Sequence, residues 1–350
     1  MAQKRNQDED ITLLRVGEGP ALREDEIDGW HRLRVACAAT DQREGRDGGG
    51  DETPDRTRTA AALRTRNPGG RTLRWLARDA GGEAVASAWL RLPDLEGTRQ
   101  SARFGISVHP EHRRRGIAAT LFATVRAEAV AAGRGSLGAL AGADTDAEQA
   151  LTAWGFTPGT RTLRLRLEVN GCDQEALRAT VKAASEGYEL ARWPGVVPSD
   201  LAASYAQARN AMADVPGPGQ EAVRAPWDEA RVRAAAESSA AAGKTLLTVA
   251  ALYLDEQGHE AVAGYSEVVL PGGTGPLARQ NDTAVVRAHR GRGLGLWVKA
   301  AMLQWLLGAH PEVSRVVTDC AESNVHMIAI NEQLGFEPVG WRREFRLPLD

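Results

Sequence analysis

The sequence predicts an α/β protein made of two tandem copies of one fold, and three observations predict it. The chain has 350 residues, 43% of them hydrophobic and 25% charged, which is a globular composition at more than the length of one typical domain. Segments with strand and helix periodicity follow one another in the same order in both halves. A constant offset of 177 residues places Val85 on Val262, Val108 on Val285, His112 on His289, Arg113 on Arg290, Gly116 on Gly293 and Ala118 on Gly295. Three residues of slip then superpose "WGF" (154–156) on "LGF" (334–336), an agreement that points to an internal repeat.

Taken in order, "ITLLRV" (11–16) alternates as a strand and 21–39 has helical spacing. Residues 40–59 hold almost no apolar side chain and read as a solvated loop. Strands are expected at 71–79, 84–92 and 103–108, the first two joined by a turn at Gly81-Gly82. A helix over 116–132, a buried strand "GSLGALA" (135–141), a short helix over 146–154 and a half-exposed strand at 161–169 complete the first copy. Residues 171–187 are polar and helical enough to be a linker. The order then restarts with "YELARW" (188–193) and helices broken at "DVPGPG" (214–219). Strands follow at 245–254, 261–269, 282–286, 315–321 and 343–349, with helices before the last two. The expected domains are therefore 1–170 and 188–350.

The net charge of -3 argues against nucleic acid or an anionic membrane as the main partner. Three cysteines, Cys37, Cys172 and Cys320, are too far apart for a CxxC pair and suit a reducing compartment. The first residues show no apolar signal region and no window approaches eighteen apolar residues, so a cytoplasmic protein, monomeric or homodimeric, is expected.

The segment "AHRGRGLGLWVKAAML" (288–303) places glycines at 291, 293 and 295 between a strand ending at Val285 or Val286 and the start of a helix. A helix N-terminus offers unpaired N–H groups and partial positive charge, and glycine lets an oxyanion reach the backbone. "GRGLGL" is neither a Walker loop nor a dinucleotide turn, and the interleaved Arg290 and Arg292 favour a ligand with more than one phosphate.

The pattern Arg-x-x-Gly-x-Gly/Ala, present as "RRRGIA" (113–118) and "RGRGLG" (290–295), resembles the pyrophosphate-binding motif of the GCN5-related N-acetyltransferase (GNAT) superfamily. "NVHMIAINEQLGF" (324–336) is similar to a second motif of that family, matching it at Asn324, Gly335 and Phe336. The likeness extends to tandem acetyltransferases of actinomycete type, a group that includes mycothiol synthase-like proteins. It implies two α/β (α+β) folds, each a mixed, mainly antiparallel sheet flanked by helices and splayed where acetyl-CoA or another acyl-CoA inserts. It assigns the co-substrate contacts to Val285, Val286, Arg290, Gly291, Arg292, Gly293, Leu294, Gly295, Asn324 and Asn331. In the first copy the corresponding contacts are Val108, Arg113, Arg114, Arg115, Gly116, Ile117 and Ala118. The implied reaction is acyl transfer to a primary amine of a small molecule, with no metal.

Departures from the family pattern sort the copies. Where many members carry a tyrosine that protonates the departing thiolate, the sequence has Asn331 and Leu151; Asn324 is matched by Asp144. The same offset sets Glu267 against Leu90. An alkylammonium must lose a proton before its nitrogen can attack a thioester, and Glu267, with Asn324 beside the site, is the expected catalytic pair. The oxyanion donor is expected to be a main-chain N–H near Val285. The first copy is thus expected to be degenerate, and a chain that only binds acyl-CoA, as a regulator or scaffold, is the alternative. His109, His112 and His289 flank the arginine loops without metal-ligand spacing. Cys320, Trp297, Trp305 and Met327 read as core, and no acid for the leaving thiolate can be assigned.

Overall fold

The computed structural model describes residues 11–43, 55–64, 70–94, 99–183, 186–211, 226–241, 243–270 and 275–349. They divide into two units, Met1–Gly159 with Arg342–Asp350, and Thr160–Trp341.

In the first unit, β1 (Thr12–Arg15), β2 (Gly70–Arg78), β3 (Ala84–Pro93), β4 (Ser101–Val108) and β5 (Ser136–Gly142) lie side by side in chain order. Arg342–Pro348, from a long C-terminal strand, complete the sheet beside β5. All pairs are antiparallel except β4 with β5. Helices α1 (Glu24–Arg43) and α2 (Arg56–Arg64) cover one face through Ile27, Leu33 and Leu63 against Leu76. On the other face α3 (Ile117–Ala131) sets Leu121 and Val125 against Leu90 and Leu137, and α4 (Asp146–Ala153) adds Leu151. Each such side chain taken fully from water contributes about 1.5–3 kcal/mol.

The second unit repeats the plan. Its strands are β6 (Thr157–Glu168), β7 (Glu189–Pro194), β8 (Thr245–Leu254), β9 (Glu260–Leu270), β10 (Leu277–Val285) and β11 (Arg315–Ala321), ordered β6-β11-β10-β9-β8-β7. The C-terminal strand of the first sheet is β12 (Glu337–Pro348). Only β10 and β11 pair in parallel. Helices α5 (Gln174–Lys182), α8 (Leu294–Ala309) and α9 (Val325–Gln333) share one core with Leu247, Val268 and Val316. On the opposite face α6 (Ala202–Asn210) and α7 (Glu229–Ala241) meet Trp193, Ala250 and Tyr265.

Four expectations change. The boundary at 170 moves because β6 pairs with β11 through Thr162–Glu168 while β12 pairs with β5, so the strand after α4 belongs mainly to the second sheet. The segment 171–187 is no spacer: α5 packs on α8, and Trp297 Nε1 donates to Val181 O at 2.9 Å. The solvated loop at 40–59 is helical at its ends, in α1 to Arg43 and α2 from Arg56, where Thr59 and Ala60 are buried; 44–54 lie outside the described residues. The breaker at 214–219 also lies outside them.

The fourth change concerns register. Val108 lies opposite Ala86 and Val285 opposite Gly264; Arg103 lies opposite Arg91 and Arg279 opposite Val269. Strand β3 therefore matches β9 one residue further along than the sequence offset implies. The partner of Glu267 is Trp89, and Leu90 points to the α3 face with Leu121. A one-residue slip exchanges the faces of a strand, so this correction alters which copy carries what in its cleft.

Candidate functional site

In the second unit β10 and β11 are paired only from Leu277–Arg279 to Arg315–Val317. Beyond that point β10 carries a bulge between Gln280 and Thr283 and continues against β9 alone, so its other edge is open. Val286 N donates to Ala263 O at 2.8 Å, whereas Val285 O accepts from Arg290 Nε at 3.0 Å. The N–H and C=O of one strand residue point the same way, so the Val285 N–H faces the open edge. The same parting occurs in the first unit, where β4 and β5 pair only from Ser101–Arg103 to Ser136–Gly138.

The loop at the mouth of this cleft is shaped by glycine. Gly291 and Gly293 hold φ of 78° and 75°, and a Cβ built at either meets nothing within 4 Å. The backbone there is bare and accessible, and no side chain caps α8, which leaves its leading N–H groups for an anion. Gly295 has a different reason: its Cβ position is 3.4 Å from Ile330 Cδ1 and 3.8 Å from Val285 Cγ2. Leu294 is buried behind it. These features fit the diphosphate and pantetheine of a coenzyme A thioester. Arg290, expected as a phosphate ligand, spends its Nε on the strand end, and Arg292 stands 5.9 Å from the Tyr188 ring. His289 accepts or donates with the Tyr188 hydroxyl at 2.8 Å, its ring is 4.2 Å from Tyr253, and burial pushes its pKa down.

The first unit builds the loop on the same plan with Arg113 Nε donating to Val108 O at 3.3 Å. Arg114 replaces Gly291 and adopts φ of 62°, while Gly116 holds 82°. Arg114 pairs with Asp146 at 2.8 Å and Arg115 donates to Glu111 O at 3.0 Å. Ile117 is buried at the start of α3, with Ala118 next to it.

Glu267 does not stand in solvent. It is 1% exposed on the α6 face of β9, where its Oε1 accepts from the Tyr205 hydroxyl and from Arg209 at 2.9 Å. Burial pushes its carboxyl up, against the Arg209 guanidinium that draws it down. Arg209 also lies 3.7 Å from the Trp227 ring centre and 3.3 Å from Asp282. Asp282 sits in the β10 bulge with its side chain 45% exposed. Sequence reasoning missed Asp282 and the Tyr205/Arg209 pair; the i, i+4 spacing of the latter on α6 was the available signal. Residues 212–225, which follow α6 in the chain, lie outside the described residues.

Asn324 caps α9, its Oδ1 accepting from Met327 N at 3.2 Å. Asn331 is 1% exposed, and neither its Nδ2 nor its Oδ1 finds a partner among the described residues. Also among them, no group of three His, Cys, Asp or Glu could hold a metal ion, and no helix is long and apolar enough to cross a membrane.

Residues 38–156 match the model of the acetyltransferase (GNAT) family. A tandem GNAT protein from the clavulanic acid biosynthesis pathway, solved without AcCoA, is similar over 97% of this chain and 99% of its own, at 27% identity and a TM-score of 0.74. A GCN5-related N-acetyltransferase from Sphaerobacter thermophilus is similar over 96% of both chains, at 16% identity and a TM-score of 0.66. No curated protein matches the chain.

Proposed function

We propose that this protein, a GNAT-family member carrying two copies of the fold in tandem, moves an acyl group from acyl-CoA to a primary amine of a small molecule, and that the second unit does the chemistry. Acetyl is the simplest acyl group. The observation that carries the reading is the open edge of β10, which has the bare glycine loop at one end and the Asp282 bulge at the other. The likeness to a protein from the clavulanic acid biosynthesis pathway supports a small-molecule acceptor.

The loop from Arg290 to Gly295 and the N-terminus of α8 hold the diphosphate, and the Val285 N–H is placed to bind the oxyanion that forms when nitrogen adds to the carbonyl. An ammonium must first give up a proton. Glu267 has the raised basicity expected of a base, but Tyr205 and Arg209 already occupy it. Asp282 is the carboxylate that an incoming amine meets, directly or through water, and Arg209 fixes its position. Glu267 in turn holds Arg209.

The test is thiol release from acetyl-CoA against a panel of amines, with Asp282→Asn and Glu267→Gln beside the wild type. Turnover lost in Asp282→Asn and largely kept in Glu267→Gln supports this division of roles. The opposite result returns the base to Glu267. A chain that binds acetyl-CoA and releases no thiol with any amine is a binding protein.

A further inference from the structure

Helix α8 is apolar nearly all round, with Leu294, Val298, Met302, Leu303 and Leu306 at most 1% exposed, yet Lys299 is as buried as they are, at 1%. Among the described residues no carboxylate pairs with it. Its helical neighbours on the same stripe locate its aim. Gly295, one turn earlier, faces Val285 at the end of β10 and Ile330 of α9. Lys299 therefore points into the floor of the gap left where β10 and β11 part, and its Nζ is 5.2 Å from the centre of the Phe336 ring. The titratable group facing it is Cys320, on the parted end of β11. Asn331, whose carbonyl accepts from Phe336 N at 3.0 Å, adds a buried amide with both polar atoms unpartnered.

The first unit shows what this floor is when it has only to pack. By the loop register and the strand pairing, Lys299 corresponds to Phe122, Cys320 to Ala141 and Asn331 to Leu151. Phe122, Ala141 and Leu151 all join one apolar core. The second unit thus places an amine, a thiol and an amide at three positions that the fold fills with hydrocarbon. An unpaired buried ammonium and an unsatisfied amide are each costly, and their convergence beneath the open strand edge calls for a ligand there.

We propose that Lys299 is the proton donor to the thiolate that leaves when the second unit transfers an acyl group, with Asn331 hydrogen-bonding at the sulfur end of the pantetheine. The inference rests on the transfer reading above and supplies the acid that reading lacks. The incoming nitrogen forms a bond to the carbonyl carbon and the C–S bond breaks, its electron pair remaining on sulfur. The ammonium of Lys299 gives a proton to that sulfur, yielding the free thiol and a neutral amine, which then regains a proton from water. Two protons leave the substrate nitrogen in all; with the one that Lys299 recovers, the balance is one on sulfur and one in solvent. Burial pushes Lys299 down to about 7, below an ordinary thiol near 8.5, so the transfer runs downhill. Cys320, pushed up to about 11 by burial, stays a neutral thiol beside it.

The test compares the full-length wild type with Lys299→Met, which keeps length and removes charge. Acetyl-CoA affinity by calorimetry should stay within about threefold. The kcat on the best amine should fall by roughly 10²-fold, within the range of general acid catalysis, and the loss of kcat as pH rises past about 7 should disappear. Acetyl-seleno-CoA, whose selenolate leaves without protonation, should restore the variant's turnover; a merely structural lysine gives no such rescue. Without any ligand, Lys299→Met should also abolish the rise in thermal stability between pH 7 and 10. A variant equal to wild type in kcat and pH profile, or equally slow with both thio- and seleno-esters, overturns the donor role alone. A wild type that binds acetyl-CoA but turns over no amine defeats the transfer reading, and the donor role with it.

Discussion

Around the parted strands the two units differ at four matched places: Trp89, Phe122, Ala141 and Leu151 in the first stand where Glu267, Lys299, Cys320 and Asn331 stand in the second. The backbones part alike in both, and both loops tie their leading arginine to the end of the preceding strand. What separates them is the polarity of the cleft walls. Trp89 lies on the α1 face directly over Gly105, where a Cβ would come within 2.5 Å of its Nε1, while Glu267 anchors a charged cluster with Arg209 and Asp282. The loop architecture is thus shared while the polarity of the cleft is not, so the two features vary independently of each other.

The largest expected effect comes from attacking the shared architecture in the second unit. Gly293→Val with Arg290→Ala should weaken acetyl-CoA binding to the second unit by at least about 10²-fold and remove turnover. Valine at a φ of 75° is strained, and its side chain would occupy the open approach to the backbone. Unchanged affinity by calorimetry would remove the basis for placing the diphosphate there.

Next comes the polar wall. Asp282→Asn should lower kcat by roughly 10²-fold near neutral pH with little change in acetyl-CoA affinity. Glu267→Gln should act mainly through stability, because it leaves Arg209 buried with a weaker partner; breaking a buried pair costs about 3–5 kcal/mol, less where Asp282 still faces the guanidinium. Melting curves and kcat measured on both variants separate these effects. An acceptor amine of low pKa should shrink the Asp282→Asn effect, since it arrives already neutral.

In the first unit, Gly116→Val should reduce bound CoA from two per chain to one by calorimetry. Gly116 holds a φ of 82°, open to solvent, as its counterpart does. A stoichiometry of one in the wild type would show that the first loop, with Arg114 held at φ 62° and paired to Asp146, no longer binds.

The repeat, the sheet with its helices and both glycine loops were legible because backbone demands leave marks: helix starts, left-handed glycines and alternating strands occur at fixed spacings. The ownership of β6 and β12 was not, since each is a plausible last strand for either copy and only pairing decides. Nor was the Trp89 register, because β3 and β9 correspond at an offset one residue larger than the loops do, and only the pairing of each with its neighbouring strand reveals it. Lys299 escaped notice because a lysine in an apolar helix reads as its exposed side. Asp282 was read as the first residue of a strand, when its bulge is what turns it outward.

The smallest effect, and the one most directly tied to the difference between the clefts, concerns stability without ligand. Lys299 titrates near 7 in the folded chain and near 10.4 when unfolded. Between those values the unfolded chain binds more protons, so stability rises with pH across this window; below about 7 the amine is charged in both states and its contribution is level. Lys299→Met removes the burial penalty throughout. It should raise the Tm of the second unit by about a few degrees at pH 7 and flatten its rise toward pH 10, so that the two proteins converge in alkali. The reciprocal change, Phe122→Lys in the first unit, should lower stability at pH 7 and recover part of it at pH 10. If Lys299→Met instead lowers Tm equally at both pH values, the lysine is a packed and paired structural residue, and the polar floor of the second cleft has no bearing on chemistry.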